Sequence, residues 1–310
     1  MDDVREGPLR DEKLKLTMYQ AVSMVHSSSF EEILGSIHQY CNSTKRESRQ
    51  ATHVIDHIEF SQVSFLKKGQ LHHELMTWDT DVLPEESDYK KHVSTVGTLH
   101  MHGKTVPGDL NISLLYFVNK RRLKISGGFP EVNVIKYVGS EMNGGTEGNE
   151  SEIIDLGIKE FLVYLQNICS DIFGVMCVRP TLNLLNAQYD IGFNIKGLDC
   201  FPNIARETKI FSRVVDPMHE LGGRRTAIKL YVLEDSKEYS CAFDHKGKVQ
   251  IFACTKYKQI YGIMTKLDEC LEIAKICGDV EFTERKIQTE QKRKYVKSGK
   301  YSKKKQKTMK

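Results

Sequence analysis

Two stretches of the chain repeat one pattern: Phe117 to Gly127, FVNKRRLKISG, and Phe243 to Ala253, FDHKGKVQIFA. Each reads as a Phe, mostly polar residues, a basic turn and an alternating segment, in which Leu123 and Ile125 match Val249 and Ile251 while Lys124 and Ser126 match Gln250 and Phe252. Alternate side chains leave opposite faces of a strand, so both copies predict the second arm of a hairpin with one apolar and one mixed face. A helical stripe follows each copy, Ile154, Ile158, Phe161, Leu165 and Ile168 after the first and Ile260, Met264, Leu267, Leu271 and Ala274 after the second. The steps of four, three, four and three make one apolar face. Ahead of each copy, Leu16 to Ala21 (LTMYQA) lines up with Leu182 to Ala187 (LNLLNA). Strand, hairpin and long helix thus occur twice in one order, the mark of an internal duplication.

The first strands are 166 residues apart (182 − 16), the hairpin arms 126 (243 − 117) and the helices 106 (260 − 154). The first half therefore holds about 40 extra residues before its hairpin arm and about 20 after it. These fall in Asn42 to Val93 and Gly128 to Glu150, and the Gly-rich, acidic GSEMNGGTEGNES of the second predicts a loop. Residues 1–175 are expected to form one repeat with insertions near 42–93 and 128–150, and residues 176–282 the other.

Composition is that of a soluble globular protein, 40% hydrophobic and 28% charged. The start, MDDVREGPLRDEKLKL, lacks the apolar core of a secretory signal, and no apolar run approaches a membrane span, so an intracellular protein without a membrane partner is expected. Eight cysteines without a CxxC pair read as reduced thiols. The net charge of +4 conceals an asymmetry: residues 285–310 carry 12 Lys/Arg and one Glu, a net +11, leaving 4 − 11 = −7 on the rest. Residues 283–310 read as a disordered polycation drawn to phosphate or acidic partners, and the KKK cluster equally suits nuclear targeting.

In chain order, Leu14 to Val25 predicts a strand, and Ser28 and Ser29 stand three residues before Glu31 and Glu32 as in a capping box. Phe30, Ile33, Leu34 and Ile37 then give a short helix its apolar side. Leu198 to Arg206 takes that place in the second half, where Pro202 shortens it. Ile58 to Leu66 alternates, and Val96 to Met101 and Ala227 to Val232 are further strands. The class is α+β, two pseudo-repeats building an antiparallel sheet covered on one face by helices.

The residues resemble the TATA-box-binding protein family at this point. Cys241-Ala242-Phe243 with Gly247-Lys248 is similar to its hairpin, and Asn183-Leu184-Leu185 to its first strand. The resemblance covers Leu14 to Leu34 and Val96 to Cys277. It implies a curved saddle with helices on the convex side and A/T-rich promoter DNA in the minor groove of the concave side. It also implies bending of that DNA and recruitment of a transcription factor IIB-like protein and RNA polymerase, in the nucleus or a cytoplasmic viral factory. The large insertions and loose motifs point to a divergent lineage such as that of large DNA viruses.

By the same resemblance Thr17, Tyr19, Leu115, Phe117, Lys124 and Ser126 face DNA in the first half, and Asn183, Leu185, Cys241, Phe243, Gln250 and Phe252 in the second. Phe117 and Phe243 match the family's wedges, which part base steps and kink the duplex. Asn183 would donate to minor-groove acceptors, and Arg122 and Lys248 would meet phosphates. Thr17 stands where the family has a second Asn. The second wedge of each pair is missing near Val96 to Leu99 and Leu221 to Arg225 (LGGRR).

Other readings stay open. A Phe in a strand is ordinarily core, and the same sheet serves RNA or single strands through Phe117, Phe243 and Phe252, or protein assembly alone. His53 and His57 share a helical spacing and His100 and His102 a strand face, without a third ligand for metal. No phosphate loop and no GxSxG or HExxH signature occurs, so no enzyme and no cofactor is expected.

Overall fold

The computed structural model describes residues 14–26, 29–43, 57–67, 75–78, 96–106, 109–144, 149–215, 227–234, 236–278 and 280–284. The basic segment after residue 284 and the LGGRR motif, as well as His53, lie outside them. The first half supplies β1 (Leu14–Met24), α1 (Phe30–Ser43), β2 (His57–Lys67), β3 (Leu75–Trp78), β4 (Val96–Val106), β5 (Asn111–Phe117), β6 (Arg122–Gly127), α2 (Val132–Met142) and α3 (Glu150–Phe173). The second supplies β7 (Thr181–Asp190), β8 (Phe193–Lys196), α4 (Phe201–Glu207), β9 (Arg213–Val215), β10 (Ile228–Glu234), β11 (Lys237–Phe243), β12 (Lys248–Cys254), α5 (Tyr257–Ile276) and β13 (Glu281–Glu284).

Eleven strands form one antiparallel sheet in the order β3-β2-β4-β5-β6-β1-β7-β12-β11-β10-β9. Read outward from the β1–β7 seam, each side runs central strand, second hairpin arm, first hairpin arm and outer strand. The register repeats the relation in detail. Shifting β1 numbers by 166 carries Lys15↔Gln188 onto Val22↔Thr181, Leu16↔Ala187 onto Ala21↔Leu182 and Met18↔Asn186 onto Gln20↔Leu184. Tyr19↔Leu185 maps onto itself and marks the pseudo-twofold axis. Thr17 and Asn183, related by the same shift, are each passed over in the pairing as the extra residue of a bulge.

The helices cover one face. All ten residues of the two predicted stripes are buried, from Ile154 to Ile168 on α3 and from Ile260 to Ala274 on α5. Apolar burial of this kind contributes roughly 25 cal/mol per Å² removed from water. At the start of α1 the Ser29 amide donates to Glu32 Oε2 at 3.1 Å and the Glu32 amide to Ser29 Oγ at 3.2 Å, closing the capping box. Pro202 lies in the first turn of α4, where its missing N–H costs nothing.

The stretch 128–150 differs from the loop its composition predicts, because Val132, Ile135 and Val138 recur at steps of three and bury α2 against α3. Gly139 and Gly157 make that contact possible. A Cβ on Gly139 would overlap the carbonyl of Ile153, and one on Gly157 the carbonyl of Ile135.

Candidate nucleic-acid interface

Burial alternates along the central strands, so the uncovered face follows directly from the register. On β5 and β6, Ile112, Leu114, Tyr116, Leu123 and Ile125 point to the helices, leaving Ser113, Leu115, Phe117, Arg122, Lys124 and Ser126 on the other side. On β12, Val249 and Ile251 are buried while Lys248, Gln250 and Phe252 are uncovered. Thr17 and Asn183 are exposed at their bulges.

Tyr19, Leu185, Cys241 and Phe243 lie on the covered face instead, each 0% exposed, contrary to the expectation that they meet a ligand. For Tyr19 and Leu185 the bulges are the cause: the extra residue shifts the alternation by one, so the side chains beyond it change faces. Tyr19 packs edge-on against Phe129 at 5.3 Å and Phe161 at 5.1 Å, and its hydroxyl, without a hydrogen-bond partner among the described residues, is held protonated by burial. For Phe243 the cause is turn length. The buried pair Tyr116↔Leu123 encloses residues 117–122, whereas its counterpart Phe243↔Val249 encloses 244–248. The first turn is one residue longer, so Phe243 corresponds to Tyr116 and Phe117 to Asp244. Arg121, at φ 49°, closes the longer turn, and Gly247, at φ 65°, the shorter one, where Asp244 Oδ1 accepts from the amides of Lys246 at 2.9 Å and Lys248 at 3.0 Å.

The open face is mixed, with basic side chains in both halves. Lys15, Lys124 and Arg122 in the first half and Lys248, Lys229 and Arg213 in the second stand on it, with Glu238 and Asp190 as acidic neighbours. Its centre combines amides, Gln20 on β1 and Asn186 and Gln188 on β7, with Met18, Val22 and Leu184. Sequence reasoning missed Arg213, Lys229 and Tyr231 at its outer end in the second half. Arg213 stacks over the Tyr231 ring at 3.8 Å and pairs with Glu238 at 2.9 Å, while Lys229 lies 5.2 Å from the same ring. The His100 and His102 rings on β4 lie 3.9 Å apart and tilted at 54°, and His100 Nε2 is 2.7 Å from Ser113 Oγ. Their alternation was the available signal. Burial, reinforced by His102, holds the His100 imidazole below its ordinary pKa. A cleft of about 590 Å³ opens where β6 stops at Gly127 and β1 continues to Leu14, with Lys15, Thr17, Lys104 and Ser113 in its wall.

Among solved structures, Methanococcus jannaschii TBP is similar to this chain. Identity is 11%, the match covers 84% of this chain and 99% of that one, and the TM-score is 0.34. No protein-family model and no curated protein matches the chain.

Three of the buried thiols are inert. Burial pushes Cys241 up to about 12 and Cys177 and Cys270 up to about 11, which keeps them protonated and unreactive at neutral pH. No group of three or more His, Cys, Asp or Glu suited to a metal occurs among the described residues. No described helix is long and apolar enough to cross a membrane.

Proposed function

We propose that the chain is a DNA-binding transcription initiation factor of the TATA-box-binding type, with residues 1–175 and 176–282 as its two repeats. The observation that carries the reading is the sheet face opposite the helices, pseudo-twofold in backbone, basic at both lobes and lined with amides at its seam. Such a face suits a duplex. Lys and Arg meet phosphates, while Gln20, Gln188 and the bulged Asn183 offer amide donors to the acceptors that A·T and T·A pairs share in the minor groove. Phe117 and Phe252 are the Phe side chains described on this face that could part base steps, and TA steps yield most easily, which favours A/T-rich promoters. The helical side is then free to receive a transcription factor IIB-like protein and RNA polymerase.

Electrophoretic shifts with A·T-rich duplex, G·C duplex and single-stranded RNA test this. Preference for the A·T duplex, lost on replacing both Phe117 and Phe252 by Ala, is the expected result. Tighter binding of single strands would instead favour a stacking module built on Phe117, Phe252 and Tyr231. Equal binding of all three that vanishes at high salt would assign the affinity to the basic segment alone.

A further inference from the structure

The cleft beside β1 lies where the two repeats differ in chemistry. β6 stops at Gly127 while β1 runs on to Leu14, and the gap left in the sheet is bordered by Lys15 and Thr17 on β1, by Lys104 and Ser113 on the β4–β5 hairpin, and by Ser126 at the end of β6. Two ammonium groups and three hydroxyls thus surround one opening. Asp109, the acidic residue of the lining, pairs with Lys104 at 2.8 Å, which leaves a net charge of 2 − 1 = +1 with His102 neutral. The hairpin wall is braced from within: the amide of Thr105, a residue 1% exposed, donates to the Leu110 carbonyl at 2.9 Å, and its Oγ1 accepts from the Leu110 amide at 2.9 Å. Gly127 also lines the cleft, where a Cβ would meet the Asn111 carbonyl oxygen at 2.5 Å and the buried Tyr19 hydroxyl at 3.3 Å. The pairing ladders give the equivalent positions of the second repeat. The row Ser126↔Ser113↔His102 corresponds to Phe252↔Ser240↔Tyr231, which sets Lys104 against Leu233, and the β1–β7 relation sets Lys15 against Thr181. Both ammonium groups are therefore particular to the first repeat, and the small Ser126 stands where the second has a Phe ring.

We infer that this cleft is a binding site for a phosphate ester, with Lys15 and Lys104 on the phosphate oxygens and the hydroxyls of Thr17, Ser113 and Ser126 as further partners. Ammonium groups bind phosphate as point charges, and hydroxyls supply the short bonds that orient it. The cleft, at about 590 Å³, has the size of a small-ligand site and leaves room for the sugar beside the phosphate, with Met18 and Leu110 as apolar surface. Asp109 competes with the ligand for Lys104 and so weakens binding. The ester has two possible sources, a free nucleotide or the backbone of a nucleic acid lying on the open face. Only the second rests on the DNA-binding reading above.

Calorimetric titration of the full chain with adenosine monophosphate and with adenosine, at low salt, tests the first source. A set of A·T-rich duplexes, each with one backbone phosphate replaced by an uncharged methylphosphonate, tests the second. For a free nucleotide, the monophosphate binds and adenosine does not. That binding is weakened about three- to tenfold by Lys15→Gln or Lys104→Gln and tightened by Asp109→Asn, a substitution that the local φ of 48° tolerates. It is lost in Ser126→Phe, which installs the second repeat's side chain on the open face. For a backbone phosphate, the monophosphate gives no heat, and one methylphosphonate position weakens the wild type but not Lys15→Gln. Lys15 is exposed, so an unchanged urea midpoint in Lys15→Gln separates lost binding from lost folding. The site is overturned if the monophosphate and adenosine bind alike, if monophosphate binding is unchanged in Lys15→Gln or in Ser126→Phe, or if neither monophosphate binding nor a coupled phosphate position is found. An A·T preference that persists in those cases leaves the DNA-binding reading intact, whereas its absence with monophosphate binding retained sinks that reading alone.

Discussion

Phe243 and Phe252 stand on one hairpin and face opposite ways. Phe243 is fully buried, its ring 5.0 Å from Phe201 at 67°. Phe243→Ala should cost about 3–5 kcal/mol of stability, read as a lower midpoint in urea unfolding. Phe252→Ala, at a ring only partly buried, should lower that midpoint less than Phe243→Ala does and weaken duplex binding in a titration. A reversed result would mean that the faces are interchanged. His100 supplies a second residue-scale test, because its folded-state pKa is depressed while the unfolded chain keeps the ordinary value. As pH falls through the ordinary imidazole range the unfolded state takes up the proton first, so stability is lost on acidification. Thermal unfolding of the wild type at pH 7.5 and 5.5 should show a drop that His100→Gln diminishes. The drop is expected to be small, since the ring is only partly buried.

Among the elements, the clearest liability is the close crossing of α2 and α3. Gly157→Ala would drive a methyl group into the Ile135 carbonyl, and backbone cannot yield as a side chain does. A loss of about 1–3 kcal/mol is expected by chemical denaturation, with the equivalent test at exposed Gly144 complicated only by its φ of 68°. This contact also shows what the sequence conceals. The stripes of α3 and α5 were legible because five apolar residues at helical steps fit one face and no other. The α1 cap was legible because Ser29 and Glu32 bond locally. α2 was not, since its apolar steps run into the Gly-rich acidic stretch and average composition hides them. Strand faces were half legible. Alternation separates two sets of side chains without saying which set the helices cover, and a one-residue difference in turn length or a bulge exchanges them. That is why Lys124, Gln250 and Phe252 came out uncovered while Tyr19, Leu185, Cys241 and Phe243 did not.

At the scale of the whole molecule, backbone symmetry is filled with unlike side chains. Ser126 is the counterpart of Phe252, and Phe117 that of Asp244, so Phe117 in one lobe and Phe252 in the other stand at different distances from the seam. The two lobes are nonetheless joined on both layers. β1 pairs with β7 in the sheet, and among the helices Asp155 of α3 caps the start of α5, its Oδ1 accepting from the Tyr257 amide at 2.7 Å and its Oδ2 from the Lys258 amide at 3.3 Å. Burial raises the pKa of this carboxyl, and those amides, with Lys256 and Lys159, pull it back toward the ionised form. A first-lobe side chain thus completes a second-lobe helix. Asp155→Ala should cost about 0.5–2 kcal/mol, as loss of a helix cap does, and Asp155→Asn, which keeps an acceptor, less. Because the seam and the core are shared, far-ultraviolet dichroism and tryptophan fluorescence from Trp78 should move to lower denaturant together in Asp155→Ala. Trp78 belongs to the first lobe and α5 to the second, so a fluorescence transition left in place while helix signal is lost early would show that the lobes unfold separately and that the cap does not couple them.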